Sequence, residues 1–130
     1  MASIVISGNT SGSVTLSAPA VAGSTTITMP TSTGNALVDV ARLIANNGYV
    51  TLSNGLIIQY GNSSIAGDTR TVFSFPIAFP TACVGFGTGT DWVGANGWNP
   101  GGGMFISSTQ YILYNVDATA RSVAWIAMGY

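Results

Sequence analysis

Residues 122–130 read SVAWIAMGY. In an extended chain successive side chains leave on opposite faces, so Val123, Trp125 and Ala127 share one face and Ala124, Ile126, Met128 and Tyr130 the other. Both faces are apolar. An antiparallel strand with one face to solvent keeps that face polar, so this strand predicts burial on both sides, one in a sandwich core and one against another subunit. Tyr111 and Leu113 opposite Ile112 and Tyr114 repeat the pattern, as does LIIQY at residues 56–60. Trp125, Ile126, Met128 and Tyr130 are accordingly candidate oligomer contacts.

Upstream, the runs at residues 49–53 and 56–60 flank Asn54-Gly55, a pair that reaches the positive φ values of a tight hairpin turn. Further strands are expected at residues 71–75, 82–87, 104–107 and 110–115. Pro76 and Pro80 bracket residues 77–79 and make that piece an edge or a crossing between sheets. Short strands at this spacing predict an all-β domain, an antiparallel β-sandwich over residues 49–130.

The preceding segment, NALVDVARLIANNG at residues 35–48, places Leu37, Val40 or Ala41, and Ile44 at spacings of three and four. Asn35 can cap its start and Gly48 its end, which predicts a short helix packing on its symmetry mates, or else an extended linker. Leu37, Val40 and Ile44 join the candidate interface. Residues 1–34 hold short alternating bursts, Ile4 with Ile6, Val14 with Leu16, and Ile27 with Met29, separated by turn residues. Such strands are too short to bury a face alone. They predict a β-rich shaft or attachment segment ordered by neighbouring chains.

Composition narrows the chemistry. Only 5% of the 130 residues are charged and 47% are hydrophobic; the full charge inventory is Arg42, Arg70, Arg121, Asp39, Asp68, Asp91 and Asp117. Without His or Lys there is no imidazole base, no Ser-His or Cys-His nucleophile, no His metal ligand and no Schiff base. Three arginines on a chain of net charge -1 make no basic patch, so nucleic acid is not an expected partner. The lone Cys83 excludes an intrachain disulfide and reads as a small buried hydrophobe.

Mean hydropathy is +0.45. Even so, the uncharged stretch at residues 92–116 is broken by Gly94, Gly97, Pro100, Gly101, Gly102 and Gly103, so no spanning helix is expected. The start, MASIVISGNT, has neither a basic n-region nor a continuous apolar run and is not read as a secretory signal.

Residues 88–103, TGTDWVGANGWNPGGG, are longer than ordinary hairpin connections. Trp92 and Trp98 beside Asp91, Asn96 and Asn99 offer aromatic planes for sugar C–H faces and polar groups for hydroxyls. These five residues are the candidate receptor-binding site, with one Trp anchoring the loop to the core as the competing reading. Asp91 with Asn96 can ligate calcium through oxygen, but the spacing matches no EF-hand, so no metal or other cofactor is expected. A glycoside hydrolase would need two of the four carboxylates about 5–9 Å apart at a cleft. Simpler roles fit better: Asp39 pairs with Arg42, Asp68 follows Gly67 in a turn, and Asp117 sits in a turn before Arg121.

Together, GYVTLSNGLIIQYG at residues 48–61, FSFPIAFPTAC at 73–83 and the terminal AWIAMGY resemble the C-terminal knob of bacteriophage and prophage tail-fibre proteins. GSVTLSAPAVAGSTTITMP at residues 12–30 resembles segments that precede such knobs. The resemblance implies a homotrimeric, non-enzymatic fibre tip, made in the host bacterial cytoplasm and carried on the virion. Its partners would be itself, other phage tail proteins, and a bacterial surface glycan such as lipopolysaccharide or an outer-membrane receptor. A purely structural virion component, a decoration or plug protein, is the alternative; a polysaccharide-cleaving enzyme is a more distant one.

Overall fold

The hairpin forms at Asn54-Gly55, but only Gly55 takes a positive φ, 89, where the sequence pattern predicts one for both residues: Gly55 N–H donates to Leu52 O at 2.9 Å across Ser53 and Asn54, and Leu56 N–H donates to Asn54 Oδ1 at 3.1 Å, which holds Asn54 at negative φ. It joins β4 (Gly48–Leu52) to β5 (Ile57–Ile65). The computed structural model describes residues 3–17, 20–21, 33–34, 37–90 and 101–130. The chain divides into two units, Met1–Asn35 and Ala36–Tyr130. The described residues are all-β, with no helix among them.

In the first unit, β1 (Ser3–Ser7) pairs antiparallel with β2 (Ser13–Ser17), bringing Ile4 opposite Leu16 and Ile6 opposite Val14. All four of these side chains are exposed. The expected burst at Ile27 and Met29 lies outside the described residues.

The second unit is a sandwich of two antiparallel sheets. The larger has the order β3-β4-β5-β10-β7, with β3 at Asp39–Leu43, β7 at Cys83–Thr90 and β10 at Arg121–Gly129. The smaller has the order β6-β9-β8, from Thr69–Ser74, Gln110–Asn115 and Gly101–Phe105. The segment between Pro76 and Pro80 is not a strand; it crosses from the smaller sheet to the larger.

Of the helix or extended linker expected at residues 35–48, residues 35–36 lie outside the described residues and the rest holds no helix; residues 39–43 form the edge strand β3. A helix of about three turns containing Val38 and Val40 is marginal by itself, whereas β4 offers a full row of unpaired backbone groups. Ser53 N–H donating to Val38 O at 2.9 Å extends the contact beyond the strand. The register slips between Asp39 and Ala41, a bulge that accommodates Val40.

Between the sheets, Trp125 of β10 lies 4.6 Å from Tyr111 of β9 and 5.8 Å from Phe75, ring centre to ring centre. Ile57, Ile65, Phe79, Cys83, Leu113, Val123 and Ala127 complete the core. Gly61 lies across from Trp125 in the register, and a Cβ there would come 2.7 Å from Trp125 Cζ2 and collide with Asn47 Oδ1. Two amides are buried with the rings. Gln59 donates to Ile77 O at 2.9 Å and accepts from Ile77 N–H at 3.0 Å; Asn115 donates to Thr119 O at 2.8 Å and accepts from Asp117 N–H at 2.9 Å. Each supplies the partners of a backbone that has left the ladder.

Candidate functional site

The period-two alternation of β10 is realised, and it separates residues that the sequence had grouped. Trp125 is 4% exposed, whereas Ile126, Met128 and Tyr130 are 49, 43 and 53% exposed. Trp125 is thus a core residue of the single chain rather than an interface residue, because its parity is that of Val123 and Ala127. Its indole Nε1 is buried without a hydrogen-bond partner among the described residues.

The outer face of the larger sheet is continuous across its strands. One row runs Arg42, Val50, Ile58, Met128, Gly85, and the next runs Gly48, Tyr60, Ile126, Gly87. Arg42, the one charge in these rows, is engaged by Asp39 at 3.1 Å. Leu37, Val40 and Ile44 are also exposed. No other described element of the second unit packs on this face.

β7 and β8 lie side by side where the two sheets meet, and residues 91–100 connect them; the ends of the expected loop, residues 88–90 and 101–103, belong to the two strands, because the glycines there allow the backbone to pair. The candidate receptor residues Asp91, Trp92, Asn96, Trp98 and Asn99 lie outside the described residues. The structure does fix the stems from which they spring, Thr90 at the end of β7 and Gly101 at the start of β8.

The remaining carboxylates have structural partners or turn positions. Asp117 accepts from Arg121 Nη2 at 2.6 Å and Nε at 3.1 Å, and from Thr119 N–H at 3.1 Å. The Arg121 guanidinium, with Thr119, holds the Asp117 carboxyl below the usual carboxylate range. Asp68 occupies a left-handed turn with φ 52 and donates its N–H to Asp117 O at 2.9 Å. Among the described residues no three of His, Cys, Asp or Glu converge on a metal-sized site, and no helix is long and apolar enough to cross a membrane. Cys83 is buried, and desolvation pushes its thiol up, away from the reactive thiolate.

Two of the open concavities among the described residues exceed 400 Å³. One, about 410 Å³, lies beside the turn and is lined by Asp68, Thr69, Arg70, Tyr114, Asn115 and Val116. The other, about 430 Å³, lies between β5 and β6. Sequence reasoning missed both, because each is made by residues distant in the chain that carry no shared motif.

Among solved structures the chain is similar to the C-terminal part of the Pseudomonas aeruginosa R2 pyocin fibre, at 23% identity and a TM-score of 0.62, covering 75% of this chain and 26% of that one. It is also similar to an N-truncated R1-type pyocin tail fibre, at 23% identity and a TM-score of 0.52, covering 75% of this chain and 88% of that one. The chain therefore spans about a quarter of the first of these and most of the second. At this identity the likeness establishes the fold. No curated protein matches the chain. The family model for the C-terminal region of gp53-like tail fibre proteins matches residues 51–130. That match takes in β5 to β10, the whole smaller sheet and three strands of the larger, and by it the chain belongs to the gp53-like tail-fibre C-terminal family.

Proposed function

We propose that the chain forms the tip of a tail fibre that binds a bacterial surface glycan such as lipopolysaccharide, without cleaving it, as a homotrimer carried on the virion. The observation that carries this reading is the tail-fibre family match over β5 to β10 of the sandwich. The exposed apolar face of the larger sheet supports self-association: closing three copies about an axis removes that face from water. The near absence of charge fits the same arrangement, since an axis brings identical residues together.

In this reading host recognition resides in residues 88–103. Loops carry variable chemistry most safely when strands must hold an interface. Three copies bind a dense surface multivalently, so weak single sites suffice. Substituting alanine for Trp92, Trp98 or Asn99 is expected to lower binding of labelled protein to intact host cells by at least about tenfold, because avidity amplifies each site's loss. The mass of the assembly should not change, and no soluble sugar should be released. Normal cell binding by all three variants would exclude the loop, and loss of folding would assign the Trp residues to the core.

A further inference from the structure

β4 begins at Gly48, opposite Tyr60, so beyond Tyr60 the strand β5 has β10 on one side and no strand on the other. The N–H of Asn62 that faces this open side is taken by Asn47 Oδ1 at 3.1 Å. Ser64, two residues on, presents its backbone to the same side, where no strand among the described residues receives it. Phe73 and Ser74 of β6 stand across the gap. Phe73 is stacked on Tyr111, with ring centres 5.5 Å apart and planes 18° apart. The result is a groove of about 430 Å³, within the size range of small-molecule sites, roughly 300–1,000 Å³.

The chemistry of the groove selects among ligands. No residue that lines it is charged, so an ionic ligand finds no counter-charge. Asn47 Nδ2 and the hydroxyls of Ser64 and Ser74 have no partner among the described residues, so an apolar ligand would strand them. An extended peptide adding to β5 is blocked at its first ladder position, which the Asn47 side chain already fills. What remains is a neutral, hydroxyl-rich molecule with an apolar face.

We propose that the groove between β5 and β6 is a saccharide-binding subsite. A sugar ring lays its C–H face on Phe73 and shares its hydroxyls among Asn47 Nδ2, Ser74 Oγ and the open edge of β5 at Ser64. The proposal rests on the glycan-binding reading of the fibre tip and adds to it a second site, on the rigid sandwich rather than on residues 88–103.

The test is a titration of the full chain with methyl α-D-glucopyranoside, methyl α-D-mannopyranoside, methyl α-L-rhamnopyranoside and N-acetylglucosamine into the high millimolar range. It is read from the backbone amide resonances of Asn62, Ser63 and Ser64. At least one sugar should shift these resonances saturably. Asn47→Asp keeps the acceptor for Asn62 N–H but removes the donor, and should weaken binding by about fivefold, the effect of one neutral hydrogen bond. Ser74→Trp, at an exposed position, should fill the mouth and abolish it. Shifts that do not saturate, that fall elsewhere, or that persist unchanged in both variants overturn the proposal. Binding to intact cells separates the two readings. Wild-type protein that binds cells while the groove stays silent overturns the groove alone. Protein that binds sugar in the groove but no cells supports the groove and overturns the fibre-tip function.

Discussion

Replacing Trp125 with alanine lowers the thermal midpoint by at least about 12 °C, while replacing its neighbour Ile126 with aspartate leaves each chain folded. The indole meets Tyr111, Phe75 and Phe86 and occupies the space that Gly61 leaves open. Removing such a ring from a core costs about 3–5 kcal/mol, and in a domain of this size each kcal/mol moves the midpoint by about 4–8 °C. Ile126 is half-exposed in the single chain, so an aspartate there meets water unless another subunit covers it. Melting followed by circular dichroism checks the contrast. A Trp125→Ala protein that melts within a few degrees of the wild type would remove the indole from its place at the centre of the core.

The second large effect belongs to Gln59. Its amide holds both the N–H and the C=O of Ile77, on the segment where Pro76 and Pro80 interrupt the ladder. Gln59→Leu fills nearly the same volume but leaves both backbone groups without partners, at a cost of about 2–4 kcal/mol. Hydrogen exchange at the Ile77 amide should accelerate in the variant well beyond that of the β9 amides. Unchanged exchange at Ile77 would show that another group can take over the bond.

Much of this architecture was legible because the strand period is two and the turn chemistry is local. Asn54-Gly55 located a hairpin, and SVAWIAMGY announced a strand apolar on both faces. What the pattern left open was which face was which: parity allows Trp125 or Ile126 outside, never both, and the larger ring went to the core. The helical spacing of Leu37, Val40 and Ile44 misled for a different reason. It is a local signal, and the non-local edge of β4 outweighed it. Gln59 and Asn115 look like any polar residue in a strand; that each serves a backbone segment elsewhere becomes visible only when the chain is folded. Asn47 is the same case for the groove, since its distance in sequence from Ser64 and Ser74 hides their proximity.

We propose that the outer face of the larger sheet, with Ile126 and Met128 at its middle, is closed by copies of the same chain. Light scattering on the purified protein tests it most directly. The predicted result is a monodisperse species of about 39.6 kDa, three times the chain mass of 13.2 kDa, falling to 13.2 kDa in the folded Ile126→Asp variant. A wild-type protein that runs as a monodisperse 13.2 kDa species would contradict it.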